Sequence, residues 1–560
     1  MKSTDKESCN ILVELLRAHG VKHAVISPGS RNAPLIIAFA SYNDIKKTVV
    51  VDERSAAFIA LGIASITNEA VALVCTSGTA VLNYAPAIAE AYYRRIPLIV
   101  ISADRPMEWI DQDDSQTLRQ YEALSHYVKN SYNLPSRCDN DTSRWYVNRI
   151  VNDAMLSALT NRRAPVHINI QLDEPLGRYW EISNRQSRII HKISPNTCLS
   201  DGDINELANR ISRSQKVLIV AGFSQPDERL NDALSKIATL SNVVVMCESI
   251  SNLHSADFIC SIDSTLSVMT DAEKAELTPE IVITLGGAIV SRFIKHYFRS
   301  HDITEHWHIG ITNTTIDCFQ SLTYRIDVEP EHFFPQLAER LVPTSSKYSQ
   351  QWHCIANRAR VSHDMYVAKS GWSDLKAFSI VMRELPSTWN LQLSNGTSIR
   401  YAQLFSSANV KRSDCNRGVS GIDGSTSTAI GASIAYNGVT LLITGDMSAQ
   451  YDVGALACSS ISPRFKMIVL CNGGGGIFRF IKSTSHLDEL DDYFTVAQNL
   501  PLRQLADGYD FAYYEANSET SLNEVLPLFI GECQRPAILA IHTPPEESAK
   551  ILQNYFTRQQ

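Results

Sequence analysis

Residues 439–446 read VTLLITGD and residues 466–476 read KMIVLCNGGGG. Each segment begins with a short, nearly continuous apolar run and ends on small or polar residues. Such runs are typical of strands in a parallel sheet that is covered on both faces. A helical stretch, roughly Tyr451–Ser459, lies between the two runs and is long enough for one crossover connection. The two segments therefore predict adjacent parallel strands of an α/β sheet.

Polar residues at the ends of these two predicted strands indicate a ligand site. Ligands of parallel α/β sheets bind beyond the carboxyl ends of the strands, which is where Asp446 and Asn472 fall. A carboxylate, an amide oxygen and a backbone carbonyl are hard ligands that suit Mg2+ when phosphates complete its octahedron. The run Gly473–Gly476 lets the backbone approach a phosphate closely, although a glycine run alone is more often a plain tight turn. We expect a metal and phosphate site at this edge of the sheet.

The alternation of strand and helix continues on both sides of these segments. In the first part of the chain, strands are predicted at Ala24–Ile26, Thr48–Val51, Ala70–Cys75 and Leu98–Ser102, and helices at Ser55–Ser65 and Val81–Tyr93. A second α/β block begins near Lys216 and a third near Tyr348, with linkers expected near residues 183–200 and 343–351. A chain of 560 residues is too long for one core. We predict an α/β protein of three doubly wound parallel-sheet domains, spanning residues 1–185, 186–345 and 346–560.

Composition narrows the class of protein and its partners. Hydrophobic residues make up 44% of the chain and charged residues 20%, as in ordinary globular proteins, and the formal net charge is −8. An acidic total argues against nucleic acid or an anionic membrane as the main partner, but leaves room for a locally basic pocket. The 12 cysteines include no CxxC pair, the first residues contain no apolar signal segment, and no run approaches 18 apolar residues. A cytoplasmic location is expected by elimination.

Three more polar motifs follow predicted strands in the first part of the chain, namely Asp52-Glu53-Arg54, Ser77-Gly78-Thr79 and Asp104-Arg105. Each has an ordinary explanation as well. Glu53 would equally favour the N-terminus of a helix, and the arginines would equally form structural ion pairs. The co-occurrence of several such motifs at strand ends is what favours a functional interpretation.

The motifs resemble those of a known enzyme family. Gly445-Asp446 followed by Asn472 resembles the Mg2+–diphosphate motif of thiamine-diphosphate enzymes, which pair it with a glutamate on a second α/β domain. More specifically, the chain is similar to the 2-succinyl-5-enolpyruvyl-6-hydroxy-3-cyclohexene-1-carboxylate synthases. The matching segments, in family order over nearly the whole chain, are residues 27–31 (SPGSR), 52–54 (DER), 76–80 (TSGTA), 103–106 (ADRP), 416–424 (NRGVSGIDG) and 475–478 (GGIF).

The resemblance implies a function and a role for individual residues. It implies a transferase that decarboxylates 2-oxoglutarate and adds the remaining fragment to isochorismate in menaquinone synthesis, with thiamine diphosphate and Mg2+ or, alternatively, Mn2+. The implied catalytic residue is Glu53, which would bond N1′ of the aminopyrimidine. The implied metal ligands are Asp446, Asn472 and the Gly474 carbonyl. The implied cofactor-binding residues are Glu53, Gly78, Thr79, Asn395, Ile422, Asp446, Met447, Ser448 and Asn472. The implied substrate-binding residues are Ser30, Arg31, Arg105, Gln116, Arg292, Arg400, Arg417, Ile477 and Phe478.

The chain departs from the family pattern at a few positions. Gly396 follows Asn395 where a serine is expected, so one hydrogen bond to substrate is missing. Ser115 stands where asparagine often precedes Gln116, and Phe293 stands where some members have a second cation. Met447 and Ser448 after Asp446 fit the narrower family better than the wider superfamily, which has glycine there.

Two alternatives remain open at this point. Another thiamine-diphosphate enzyme, such as an acetolactate synthase or a simple 2-oxoacid decarboxylase, would need fewer cations than the arginines found here. A non-catalytic binding protein that kept the fold would not need an intact Glu53, Asp446 and Asn472. Because the superfamily binds its cofactor between outer domains of two subunits, the resemblance also implies a homodimer or a dimer of dimers.

Overall fold

The computed structural model describes residues 2–181, 186–193, 197–312, 314–405, 410–481, 483–497 and 499–557. It contains three six-stranded sheets, all of whose strand pairs are parallel, and one small antiparallel pair formed by β1 (Lys2–Thr4) and β8 (Tyr179–Glu181). The predicted α/β class with three parallel sheets is confirmed. None of the helices in the described ranges is long and apolar enough to cross a membrane.

The first sheet has the strand order β3-β2-β4-β5-β7-β6. Its strands are β2 (His23–Ile26), β3 (Lys46–Val49), β4 (Val71–Cys75), β5 (Leu98–Asp104), β6 (Ser131–Leu134) and β7 (Val166–Gln171). Its helices are α1 (Glu7–Ala18), α2 (Ala33–Ala40), α3 (Glu53–Thr67), α4 (Ala80–Asn83), α5 (Ala85–Arg94) and α6 (Asp141–Leu159). The central strands β4 and β5 are buried along their whole length, as expected for a sheet covered on both faces.

The central sheet has the order β11-β10-β9-β12-β13-β14. Its strands are β9 (Val217–Ala221), β10 (Val243–Cys247), β11 (Phe258–Ile259), β12 (Ile281–Leu285), β13 (Glu305–Ile309) and β14 (Tyr324–Ile326). Its helices are α7 (Asp201–Arg213), α8 (Glu228–Ala238), α9 (Ile262–Ser267), α10 (Asp271–Glu276), α11 (Arg292–Arg299) and α12 (Pro330–Ala338). Helix α13 (Tyr348–Lys369) follows, and its Tyr348 and Trp352 belong to the central core.

The third sheet has the order β16-β15-β17-β18-β20-β19. Its strands are β15 (Asn390–Leu393), β16 (Arg412–Cys415), β17 (Thr440–Gly445), β18 (Phe465–Cys471), β19 (Ala512–Ala516) and β20 (Ala537–His542). The helices are α14 (Asp374–Glu384), α15 (Ser398–Ala402), α16 (Ser425–Ala435), α17 (Asp446–Tyr451), α18 (Gly476–Phe480), α19 (Leu502–Gly508), α20 (Glu519–Gly531) and α21 (Pro545–Thr557). The first and third sheets run through their strands in the same order.

The first and third sheets share one hydrophobic core, at whose centre helices α3 and α16 cross. The crossing is close because each helix carries a glycine there. A Cβ on Gly62 would lie 2.0 Å from the Thr428 carbonyl oxygen, and one on Gly431 would lie 2.1 Å from the Ile59 carbonyl oxygen. The two outer units of the chain are therefore joined by packed backbone.

Some local predictions are corrected. The helix predicted over Ser55–Ser65 is longer at both ends: α3 begins at Glu53, is capped by Asp52 and ends at Thr67. The helix predicted over Val81–Tyr93 is split into α4 and α5, because Pro86 lacks a backbone N–H and interrupts the helical hydrogen bonds. The predicted crossover Tyr451–Ser459 is instead α17 followed by a short 3-10 turn, Val453–Ala457.

Two further findings concern the predicted linkers and domain boundaries. Residues 343–351 are not all linker, since α13 begins at Tyr348 and buries that residue. The predicted boundary at residue 185 and part of the predicted linker at 183–200 lie outside the described residues. The ranges of the three domains stay predictions.

Candidate functional site

The carboxyl edge of the third sheet brings Asp446 and Asn472 together. Strands β17 and β18 pair in parallel with Gly445 opposite Leu470, so both strands end at the same level. Asp446 begins α17 and Asn472 directly follows β18, and the two residues are only 3% and 5% exposed. The predicted proximity of these two side chains follows from the strand register.

The Asp446 carboxylate ties the two strand ends to each other. Its Oδ1 accepts a hydrogen bond from the Met447 N–H at 2.7 Å, and its Oδ2 accepts from the N–H groups of Gly473 (2.9 Å) and Gly474 (3.1 Å). Burial raises the pKa of Asp446 to about 6, and the three N–H donors oppose that rise. Gly474 has φ +119°, and a Cβ there would lie 2.2 Å from the Thr495 carbonyl oxygen, so only glycine fits this turn.

The Asn472 amide is oriented by a residue that the sequence did not reveal. Its Nδ2 donates to Asp374 Oδ2 at 2.8 Å, and the other Asp374 oxygen accepts from the Thr543 hydroxyl at 2.5 Å. The Asn472 Oδ1 is buried and has no hydrogen-bond partner among the described residues. A buried acceptor without a donor is costly, which indicates a cation as its missing partner.

This edge of the sheet fits a divalent cation bound with a diphosphate. The Asp446 carboxylate and the orphaned Asn472 oxygen are hard oxygen donors, and the third predicted ligand, the Gly474 carbonyl, accepts a hydrogen bond from the Gly476 N–H at 2.8 Å. In the described part of the chain no cluster of three or more His, Cys, Asp or Glu could hold a metal.

The backbone around Ile422 is held from two sides. The Ser448 hydroxyl donates to the Ile422 carbonyl at 2.6 Å, which links this loop to the start of α17. The Asn395 side chain donates to the carbonyls of Asn416 (2.6 Å) and Gly421 (2.7 Å). These contacts fix the half-buried Ile422 beside the diphosphate edge, where it can support a bound cofactor.

Glu53 lies on the first unit of the chain, away from these residues. It is half-buried, and Asn83 Nδ2 donates to its Oε2 at 3.4 Å. No hydrogen bond or ion pair among the described residues joins Glu53 to Asp446 or Asn472. The structure therefore gathers Asp446 and Asn472 at one edge, whereas Glu53 belongs to another unit, where its neighbour Arg54 donates to the Tyr451 carbonyl at the end of α17 at 2.9 Å.

The loop with Gly78 and Thr79 is fixed by glutamine side chains. The Gly78 N–H donates to Gln120 Oε1 at 2.7 Å, and Gln116 Nε2 donates to the Ser77 carbonyl at 3.1 Å. Gln116 has φ +61°, so this predicted substrate residue sits in a strained turn beside Gly78. Thr79 is exposed.

One group of predicted substrate residues lies at the edge of the first sheet. Arg31 is buried, donates to the Leu172 carbonyl at 2.9 Å and lies 3.2 Å from Glu174. Arg105 pairs with Asp114 at 2.6 Å, and its Nε is buried with no hydrogen-bond partner among the described residues. Burial and then the charge of Arg105 lower the pKa of Arg31, so the two guanidinium groups are neighbours. Ser30 is exposed.

A second cationic group, consisting of Arg292, Arg400 and Arg417, lies where the central and third units meet. Burial and, after it, the charges of Arg292 and Arg417 lower the pKa of Arg400 to about 10. Arg417 donates to Asn395 Oδ1 at 3.0 Å. The Nε atoms of Arg400 and Arg417 are buried without a hydrogen-bond partner in the described ranges. Three guanidinium groups held this close favour an anionic ligand.

The remaining predicted residues and departures have local explanations. Ile477 and Phe478 lie half-buried on α18, and the Phe478 ring centroid is 5.6 Å from that of Phe494. Gly396 has φ +97°, a conformation that a serine would adopt only under strain. Phe293 stacks on Phe556 with centroids 5.0 Å apart, so the ring fills an aromatic contact in place of a second cation.

Comparisons with known proteins agree with this site. Residues 8–123 match the family described as thiamine pyrophosphate enzyme, N-terminal TPP binding domain. A 2-succinyl-5-enolpyruvyl-6-hydroxy-3-cyclohexene-1-carboxylate synthase from Porphyromonas gingivalis is 41% identical over 99% of this chain and 97% of its own length. Synthases of the same name from Flavobacterium johnsoniae (40% identical, 97% of each chain) and Bacteroides thetaiotaomicron (34% identical, 99% of each chain) are also similar.

The fold, the metal edge and these matches define the chain as a thiamine-diphosphate-dependent enzyme that uses a divalent metal ion. Within that class it belongs to the family of 2-succinyl-5-enolpyruvyl-6-hydroxy-3-cyclohexene-1-carboxylate synthases, which are carbon–carbon bond-forming transferases. The predicted family, fold type, enzyme class and cofactor are confirmed. The roles of the individual site residues stay predictions.

Proposed function

We propose that the chain decarboxylates 2-oxoglutarate and adds the remaining four-carbon unit to isochorismate, which yields 2-succinyl-5-enolpyruvyl-6-hydroxy-3-cyclohexene-1-carboxylate for menaquinone synthesis. One observation carries the choice of substrates: the Nε atoms of Arg400 and Arg417 are buried and have no hydrogen-bond partner among the described residues. Both substrates are polyanions, and guanidinium groups stay charged when they are desolvated. An acetolactate synthase or a simple decarboxylase acts on substrates that need fewer such groups.

The chain's own residues would prepare and position the reacting groups. When bound, thiamine diphosphate supplies the nucleophilic carbon and the electron sink that decarboxylation needs. Asp446, Asn472 and Gly474 would hold Mg2+, or alternatively Mn2+, and through it the diphosphate. Glu53 would hold a proton at N1′ of the aminopyrimidine, and Ile422 would press against the cofactor to keep it bent.

The arginines divide the two substrates between two faces of the site. We assign Arg400 and Arg417 to 2-oxoglutarate, and Arg31, Arg105 and Arg292 to isochorismate, with Ser30, Gln116, Ile477 and Phe478 completing the walls. A buried carboxylate that loses its arginine is left unpaired, at a cost of about 2–5 kcal/mol. At 1.4 kcal/mol per tenfold, that corresponds to roughly 30- to 3,000-fold in kcat/KM.

The complete site would need two copies of the chain, as a homodimer or a dimer of dimers. The first unit carries Glu53, Arg31 and Arg105, whereas the third carries the metal edge, and no hydrogen bond in the described ranges joins Glu53 to that edge. Pairing the first unit of one copy with the third unit of another would bring the two sets together. A cytoplasmic location is part of the same proposal.

Product identification by mass spectrometry tests the function directly. Wild-type protein with thiamine diphosphate, Mg2+, 2-oxoglutarate and isochorismate should give a product with the summed mass of both substrates less CO2. Pyruvate in place of 2-oxoglutarate should give little product, because it lacks the distal carboxylate. Comparable turnover of pyruvate would contradict the proposed substrate pair.

Single-turnover measurements on two variants test the division of the arginines. Arg400→Ala should slow CO2 release from 2-oxoglutarate far more than from a keto acid without a distal carboxylate. Arg105→Ala should release CO2 at nearly the wild-type rate and fail only when isochorismate is added. An Arg105→Ala protein that fails to release CO2 would refute its assignment to the second substrate.

A further inference from the structure

Glu90 is a buried carboxylate that the proposed chemistry does not use. It lies on α5 in the first unit of the chain and is 1% exposed. Its Oε1 accepts a hydrogen bond from the Gly418 N–H and its Oε2 accepts from the Val419 N–H, both at 2.7 Å. One side chain of the first unit thus holds two consecutive backbone groups of the third unit.

The arrangement is unfavourable for simple packing. Burial raises the pKa of Glu90, and Arg94 and the two N–H groups only oppose that rise. The Arg94 guanidinium is 3.9 Å from the carboxylate and is shared with Asp414 at 3.7 Å, so Glu90 forms only a long ion pair, with a cation that also serves a second carboxylate. A buried charge with little compensation destabilises the fold relative to an apolar residue. A carboxylate at this position therefore requires a reason other than stability.

The loop that Glu90 holds is the one that carries Arg417. Arg417 directly precedes the two bound N–H groups, and its own charge also lowers the pKa of Glu90. Gly418 admits no side chain, since a Cβ would lie 2.7 Å from the Glu90 carbonyl oxygen. Arg94, one turn further along α5, donates to Asn416 Oδ1 at 3.0 Å. The loop is thus fixed by α5 on both sides of Arg417.

We propose that Glu90 is a positioning residue for the 2-oxoglutarate site: by holding the Gly418 and Val419 backbone across the interface between units, it fixes the direction in which Arg417 presents its guanidinium. This inference rests on the proposed function, which assigns Arg417 to 2-oxoglutarate. Glu90 touches neither the cofactor edge nor a substrate arginine by hydrogen bond in the described residues, so it acts through the loop.

The effect should be specific to one substrate. In Glu90→Gln only one acceptor oxygen remains, and the new NH2 group faces a backbone N–H. Because hydrogen bonds to charged groups are the stronger ones, we expect the 2-oxoglutarate concentration for half-maximal CO2 release to rise about 10- to 100-fold. Affinity for thiamine diphosphate and KM for isochorismate should change less than about threefold, a selectivity that general loosening of the fold would not give.

Glu280→Gln is the matched control. Glu280 is a half-buried carboxylate at the amino end of β12, where it accepts from the Ser214 hydroxyl at 2.7 Å and the Gln215 N–H at 2.9 Å. Both bonds end on its Oε2, so the variant removes a hydrogen-bonded carboxylate charge far from the site and should leave 2-oxoglutarate saturation unchanged. The proposal is overturned if Glu90→Gln and Glu280→Gln saturate alike, or if Glu90→Gln loses cofactor affinity by the same factor as substrate affinity.

Two variants in the loop that Glu90 holds test the same proposal if Glu90→Gln does not fold. Val419 is 49% exposed, so its side chain is not part of a core. Val419→Pro removes one of the two N–H donors, whereas Val419→Ala keeps it. Only Val419→Pro should raise the half-saturating 2-oxoglutarate concentration, and equal behaviour of the two variants refutes the role of Glu90. Wild-type protein that releases no CO2 from 2-oxoglutarate would instead overturn the proposed function.

Discussion

Replacing Asp374 with alanine should weaken binding of the divalent cation, although Asp374 itself is not expected to touch the metal. Its Oδ2 accepts from Asn472 Nδ2 at 2.8 Å, and this bond determines which end of the Asn472 amide faces the site. Without it, the amide is free to rotate and to present its NH2 group to the cation. Loss of a partner that orients a metal ligand typically costs about 10- to 100-fold in metal affinity, or about 1.4–2.7 kcal/mol.

Two further variants separate orientation from loss of packing. Asp374→Asn can keep both contacts, with its amide oxygen towards Asn472 and its NH2 group towards the Thr543 hydroxyl, which also accepts. It should therefore retain most of the metal affinity. Thr543→Val removes the other hydrogen bond to Asp374 (2.5 Å) and leaves the bond to Asn472 intact.

The assay is a Mg2+ titration of thermal stability at saturating thiamine diphosphate. Ligands that bind only the folded state raise its stability, so the Mg2+ concentration at the midpoint of the rise reports affinity. The midpoint should move about 10- to 100-fold upward for Asp374→Ala and little for the two companions. The reasoning fails if Asp374→Ala stays within threefold of wild type, or if Thr543→Val moves as far.

Four other outcomes are expected. Glu53→Gln should retain bound thiamine diphosphate but slow hydrogen–deuterium exchange at its C2 by roughly 10²–10⁴-fold, as measured by NMR after acid quench; unchanged exchange would exclude Glu53 as the acid–base group. Gly474→Ala should abolish the cofactor-induced thermal shift, because its Cβ would lie 2.2 Å from a backbone oxygen, whereas Gly473→Ala, with nothing closer than 3.9 Å, should keep a measurable shift. Glu248→Gln should raise KM for isochorismate about tenfold in steady-state assays. The Glu248 carboxylate accepts two backbone N–H groups, at 2.7 and 2.8 Å, directly before α11, and so holds the start of the helix that begins with Arg292. An unchanged KM would count against this role of Glu248. Burial lowers the pKa of His167 from 6.5 to about 4, so the unfolded chain takes up a proton before the folded one and stability is lost as the pH falls from 6.5 to 4. The free energy of unfolding of His167→Gln, measured by chemical denaturation, should fall less steeply over this pH range than that of wild type, by up to about 1.4 kcal/mol per pH unit.

The metal edge was predictable because its signals are local. Apolar runs end at Gly445 and Cys471, parallel strands place their carboxyl ends on one side of a sheet, and the ligands follow those ends directly. The structure begins β17 and β18 within one residue of the predicted Val439 and Lys466, since burial on both faces requires an unbroken apolar segment. Strand register then accounts for the proximity of Asp446 and Asn472 without further information.

The residues that orient the site were not predictable in this way. Asp374 is 98 residues from Asn472 in the chain and reads as an ordinary acidic residue at the start of a helix. Glu90 reads as a charge on a helix surface and becomes buried only because the third unit packs over α5. Their roles depend on contacts between distant segments, which a single sequence does not specify.

The charge balance around Arg400 explains how an acidic protein can bind two polyanions. Its guanidinium lies near those of Arg292 and Arg417, which lower its pKa, and near the carboxylates of Asp263 and Glu248, which raise it. Two carboxylates cannot balance three guanidinium charges, and burial raises the pKa of both, that of Glu248 to about 7. A local positive excess remains in a protein whose formal net charge is −8. In the proposed assignment a dianionic keto acid would neutralise that excess and would supply the acceptors that Arg400 Nε and Arg417 Nε lack among the described residues.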